Sequence, residues 1–234
     1  MCKGRICPQS LKLPVSTLLP DDEDFDLPEI LSEIIEINKI KRLFVSAEYT
    51  IKGHQVLWSI IQQCTNTLEE LVFDPFYAPE VADREPVDWS LLTSLRVFST
   101  RIEVYSDPNT VLWDVMEPFY SFRWLTKLLN QLSSSNKCLE ELTIQVNHDI
   151  CDPEAMLPYW NELIDMLLDR VRFPNLRKVD IKLGSYGKDE QDLLIVLEKH
   201  AVKSRVESDS ALNVSLHLAK VTEDLQSFYP QLLI

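Results

Sequence analysis

A chain of 234 residues, 45% hydrophobic and 26% charged, has a globular composition and enough length to bury a substantial core. No apolar run approaches the roughly 18 residues of a membrane span, and no signal-peptide-length apolar stretch follows the basic residues of Met1–Pro8, so a cytoplasmic or nuclear location is expected. A net charge of −14 would repel a nucleic-acid backbone, and neither nucleic acid nor membrane is expected as a partner.

In chain order, the first helical signal is the stripe Ile30, Leu31, Ile34 and Ile35, opened by Pro28 as a first-turn residue. The acidic run Asp21–Asp26 before it lacks the spacing of a calcium loop and reads as a solvated segment. Val56, Leu57, Ile60, Ile61 and Cys64 form the next stripe. A short helix is expected near Val87–Leu92, after a stretch rich in proline. Asp107-Pro108 opens a further helix, which Pro118 should break, leaving Phe122, Leu125, Leu128, Leu129 and Leu132 on one face of another. Asp152-Pro153 repeats the helix-start signal, with Pro158 as the alternative entry, and Leu157, Trp160, Ile164, Leu167 and Val171 should face the core. The last helix is expected over about 189–201.

Strand-like segments alternate with these helices. Aligned on L-x-x-L-x-L, they are Ile40-x-x-Leu43-x-Val45, Leu68-x-x-Leu71-x-Phe73, Leu92-x-x-Leu95-x-Val97, Leu139-x-x-Leu142-x-Ile144, Leu176-x-x-Val179-x-Ile181 and Ala211-x-x-Val214-x-Leu216, with a fainter copy at Leu11-x-Leu13-x-Val15. The fourth positions are 28, 24, 47, 37 and 35 residues apart. In a strand the fourth and sixth positions share a face, and each inner row needs a neighbouring unit to cover it. The expected fold is α/β: one irregular leucine-rich-repeat-like solenoid domain over residues 1–234, with a parallel sheet on one face and helices on the other.

The units resemble leucine-rich repeats, L-x-x-L-x-L-x-x-N/C-x-L, over about residues 40–220. The Asn position holds Asn only at Asn147; Glu48, Phe76, Thr100, Gly184 and Ala219 stand elsewhere. Long, uneven units with ample helix are similar to the repeat region of fungal F-box proteins. Asp26-Leu-Pro-Glu-Ile-Leu-Ser-Glu-Ile34 resembles the F-box start L-P-x-E-I-L, one residue short between Pro28 and Glu29. That resemblance implies a ubiquitin-ligase adaptor with a Skp1-like partner and a protein substrate.

The chemistry-bearing residues are sparse. Four glycines (Gly4, Gly53, Gly184, Gly187) allow neither a dinucleotide fingerprint nor a P-loop, and no nucleophile elbow occurs. Five cysteines, odd in number and irregular in spacing, suggest no disulfide framework. Four histidines lie in separate units with no metal-ligand spacing, so no cofactor or metal is expected. Asn213-Val-Ser215 matches a glycosylation sequon but falls in a strand of a chain expected to stay inside the cell.

The remaining candidate surface is the outward row of strand residues. It comprises Arg42, Phe44 and Ser46; Glu70, Val72 and Asp74; Ser94, Arg96 and Phe98; Glu141, Thr143 and Gln145; Lys178, Asp180 and Lys182; Asn213, Ser215 and His217. Arg42, Phe44, Arg96, Phe98, Glu141, Gln145, Lys178 and Lys182 are the protein-binding candidates, since Arg and aromatic side chains anchor interfaces. Non-catalytic protein recognition is the expected function. An alternative is an enzyme with its site in the loops after the strands, around 147–152, where His148, Asp149, Cys151 and Asp152 gather. An inert scaffold is the third reading.

Overall fold

The structure is a computed structural model, and it describes residues 7–14, 33, 35–47, 51–75, 88–105, 120–149, 153–185, 195–197 and 212–218. Seven strands make one sheet: β1 (Ser10–Pro14), β2 (Arg42–Ala47), β3 (Glu70–Pro75), β4 (Val97–Tyr105), β5 (Glu141–Asp149), β6 (Lys178–Ser185) and β7 (Asn213–Leu218). Each strand pairs with the next, and every pairing is parallel. A parallel neighbour cannot be reached by a two-residue turn, so each connection must cross back over the sheet. Among the described residues, three of them carry an α-helix that is described end to end: α1 (Ile51–Cys64), α2 (Tyr120–Ser135) and α3 (Leu157–Leu168).

A single apolar core joins these helices to one face of the sheet. Its sheet side is the row Leu43, Leu71, Phe98, Leu142 and Val179, with Val45, Phe73, Ile144 and Ile181 two residues on. On α1, Ile60, Ile61 and Cys64 are buried, and on α2 so are Phe122, Leu125, Leu128, Leu129 and Leu132. Those are the stripes that the helical period of the sequence marks out. Aromatic rings fill the wide space near β3 and β4. Trp89 lies 5.4 Å from Phe73 and 6.2 Å from Phe98, and Phe122 meets Trp160 edge-on at 5.1 Å.

Two expectations fail for identifiable reasons. Leu92-x-x-Leu95 and Leu95-x-x-Phe98 have the same spacing, and the sheet uses the second. Phe98, not Leu95, pairs with Leu71 and Leu142, and it is 0% exposed. The aromatic fits the space beside Trp89, whereas Leu92 and Leu95 pack around the short 3-10 helix Trp89–Leu91, which stands where a helix over Val87–Leu92 was expected. In α3, Trp160, Ile164 and Leu167 are buried as expected, but the helix stops at Leu168. Asp169 turns the chain there by accepting the Val171 N–H at 2.9 Å, leaving Val171 83% exposed.

The units are fastened at the entry to each strand. One carbonyl accepts two successive N–H groups of the next unit: Gln9 from Lys41 and Arg42, Lys41 from Glu69 and Glu70, Glu69 from Arg96 and Val97. Arg96 then accepts from Glu140 and Glu141, and Glu140 from Arg177 and Lys178. Side chains reinforce this seam. Thr67 Oγ1 donates to the Ile40 carbonyl at 2.9 Å, and Asn136 Nδ2 donates to the carbonyls of Leu92 and Leu95. The Asn136 Oδ1 accepts from the N–H groups of Cys138 and Leu139, so one buried amide satisfies four backbone groups.

The first helical stripe (Ile30, Leu31 and Ile34), the acidic run 21–26, Asp107-Pro108, Cys151, Asp152 and Gly187 lie outside the described residues, as does most of the helix expected over 189–201. Among the described residues, no helix is long and apolar enough to cross a membrane.

Candidate functional site

The face of the sheet away from the helices carries successive rows of side chains, set by the two-residue period of the strands. The first row, at the strand entries, is Arg42, Glu70, Val97, Glu141, Lys178 and Asn213. Arg42, Glu141 and Lys178 are exposed, and Lys178 Nζ lies 3.3 Å from Glu141 Oε2. The second row is Phe44, Val72, Ser99, Thr143, Asp180 and Ser215. It is buried from Phe44 to Ser99 and opens toward Ser215, whose Oγ donates to Asp180 Oδ1 at 2.8 Å. Lys182 Nζ stands 3.9 Å from the other Asp180 oxygen.

Toward the carboxyl ends of the central strands, this face becomes polar and buried at once. Asp74 of β3 is 1% exposed and Arg101 of β4 is 3% exposed. Arg101 Nε donates to Asp74 Oδ1 at 3.0 Å, while Nη2 lies 3.0 Å from Oδ2, which accepts no hydrogen bond. Arg101 Nε is also 3.5 Å from Glu103 Oε1. Asn147 of β5 donates from Nδ2 to that same Glu103 oxygen at 2.9 Å, and its Oδ1 accepts from Gln145 Nε2 at 2.8 Å. Two carboxylates, one guanidinium and two amides thus form one buried chain across three strands.

Burying two carboxylates around a single cation is costly, because the desolvation of each ion exceeds what one partner returns. Asp74 shows the consequence. Burial pushes its carboxyl up to about 6, against the opposing pull of Arg101. An acid with that midpoint can hold or release a proton near neutral pH, while an arginine keeps its charge.

The structure scatters the protein-binding candidates. Arg42, Glu141 and Lys178 share the exposed entry row, and Lys182 stands on the more open side of the face. Arg96 precedes β4, exposed and forked onto Glu140 at 3.1 and 2.9 Å. Phe44 faces this side but is buried. Gln145 is buried within the polar chain. Phe98 points the other way, into the core, because the strand register is set by its pairing with Leu71 and Leu142; it is not a surface residue. His148 and Asn147 sit on opposite faces of β5, with His148 2% exposed on the core side, so they do not converge on one site.

Sequence reasoning placed Asp74 and Gln145 on this face but missed Arg101 and Glu103. The signal was available: Val97, Ser99, Arg101 and Glu103 alternate with Phe98, Thr100, Ile102 and Val104 as one face against the other.

No family model and no curated protein matches the chain. Among solved structures it is similar to a GH128 (subgroup III) curdlan-specific exo-beta-1,3-glucanase from Blastomyces gilchristii, solved with glucose. The likeness has 11% identity and a TM-score of 0.31, and covers 77% of this chain and 80% of that one. At that level it carries no argument about what this chain does. No family model supports a leucine-rich repeat or an F-box, and the structure reported is a glycoside hydrolase, so that resemblance is withdrawn, with the ubiquitin-ligase role it implied. The expectation that the chain is not an enzyme is withdrawn on the same finding. What stands is an α/β fold with a seven-stranded, all-parallel sheet.

Proposed function

We propose that the chain is an enzyme acting on a polar substrate by proton transfer, with its site at the buried polar chain of β3, β4 and β5. The observation that carries this reading is Asp74, a carboxyl raised to about 6 beside a guanidinium and a second carboxylate. Groups whose protonation is tuned toward neutrality by burial concentrate at catalytic sites. In this reading Asp74 is the acid, Glu103 the ionised partner, and Arg101 the charge that keeps the pair from repelling. Asn147 fixes Glu103, and Gln145 fixes Asn147. The carboxyl-end location supports it too, since open parallel sheets take ligands there.

The test is turnover on a panel of chromogenic glycosides, esters and phosphoesters by the full chain and by Asp74→Asn and Glu103→Gln, each checked for folding by circular dichroism. A rate that falls as pH rises through about 6 and drops on the order of 100-fold or more in Asp74→Asn supports the reading. No turnover on any substrate, or Asp74→Asn turning over as the parent does, contradicts it.

A second reading, protein recognition, draws on Arg42, Glu141, Lys178 and Lys182. Their heads lie on the same face, and Arg42, Glu141 and Lys178 are exposed on its first row. It extends the architecture to a solenoid of stacked strand-and-helix units, whose sequential strand order would spread such a face along the molecule. Lys178→Glu combined with Lys182→Glu would abolish binding of a partner without altering the circular dichroism; unchanged binding would remove this face from consideration.

A further inference from the structure

After Gln9, which fastens the first unit to the second, the residue whose carbonyl fastens each unit to the next is charged, and its sign alternates. Lys41, Glu69, Arg96, Glu140 and Arg177 precede β2, β3, β4, β5 and β6 in turn, giving plus, minus, plus, minus, plus. Lys41 Nζ is 2.7 Å from Glu69 Oε1, and Arg96 Nη2 is 2.9 Å from Glu140 Oε2. The same charges act across the gaps between these pairs. Glu69 lies in the field of Arg96 as well as Lys41, and Glu140 in the field of Arg177 as well as Arg96.

Exposed pairs of this kind add little to stability, so their attraction is not a sufficient account of five alternating signs in a row. Their effect on wrong arrangements is more selective. The units present similar apolar edges, at Ile40/Leu43, Leu68/Leu71, Leu95/Phe98, Leu139/Leu142 and Leu176/Val179, so the core distinguishes one neighbour from another only in part. If a strand skipped one unit and paired with the next but one, the entry residues brought together would be Lys41 with Arg96, Glu69 with Glu140, or Arg96 with Arg177. All three are like-charge pairs, about 5 Å apart at strand spacing. We propose that this alternating stripe encodes the order of the units, by making each strand repel its second neighbour as it forms the sheet.

The experiment is refolding of the full chain from denaturant, scored as the fraction recovering native near-ultraviolet circular dichroism. It is run at low salt and at about 0.5 M salt, where the screening length falls to roughly 4 Å. Glu69→Lys sets three positive charges in succession, Glu69→Gln only removes an attraction, and a five-fold variant (Lys41→Glu, Glu69→Lys, Arg96→Glu, Glu140→Lys, Arg177→Glu) inverts every sign while restoring alternation. The expected result is a recovery at least about two-fold lower for Glu69→Lys at low salt, regained at high salt, with Glu69→Gln and the inverted chain near the parent. The proposal is overturned if Glu69→Lys refolds like the parent at low salt, if salt fails to rescue it, if Glu69→Gln is equally impaired, or if the inverted chain is no better than Glu69→Lys.

Discussion

Asp74 and Phe98 are the two residues on which the account turns, one on each face of the sheet. For Asp74 the sign of the pH effect follows from a folded-state midpoint of about 6 against an ordinary 3.8. The folded chain binds the proton more tightly than the unfolded one, so this group's contribution to stability is full below about pH 4 and is lost as pH rises through about 6. Urea titrations at pH 4 and pH 7 should show the parent losing about 2 kcal/mol more than Asp74→Asn over that range. A parent and variant with the same pH dependence would mean that Asp74 is not strained. Phe98→Ala should cost about 3–5 kcal/mol, as a buried aromatic truncation does. Arg96→Ala, two residues away and exposed, should cost no more than about 1 kcal/mol by the same titration. The contrast checks the register, because a strand slipped by one residue would turn Phe98 out of the core and bring its cost down toward that of Arg96.

At the scale of elements, the helices were the most legible part. Phe122, Leu125, Leu128, Leu129 and Leu132 recur at helical spacing, and all are buried on α2. Periodicity does not mark where a helix stops: Val171 continues the pattern of α3, but the Asp169 turn ends it first. The strand edges were legible only where one L-x-x-L match was available. At β4 two matches overlap on Leu95, and volume decides between them, since the pocket beside Trp89 and Phe73 takes a phenylalanine. That single choice also hid Arg101 and Glu103, because a strand assumed to end earlier leaves them in a loop. Asn136 was invisible for a different reason: two of its four bonds reach the carbonyls of Leu92 and Leu95, in the preceding unit and far away in sequence, and nothing in its local context announces those two. Asn136→Ala would leave buried carbonyls and N–H groups unpaired, and a loss of about 2–4 kcal/mol in urea unfolding is expected. A loss below about 1 kcal/mol would show that the seam is held by the backbone bonds alone.

Over the whole molecule, the sequential order of seven parallel strands puts every carboxyl end on the same edge and leaves one face to the helices. On the other face, polarity and burial rise together toward the carboxyl ends of β3, β4 and β5. Simple packing would favour apolar residues in such a place, and a site that must hold and pass a proton requires the opposite. The measurement that addresses this most directly is the titration of the Asp74 side-chain carboxyl by carbon-detected NMR in the folded chain, assigned with Asp74→Asn. A midpoint near 6 is the predicted result. A midpoint at or below 4 would show a carboxylate held by Arg101 as an ordinary ion pair, and the proposed acid would be gone.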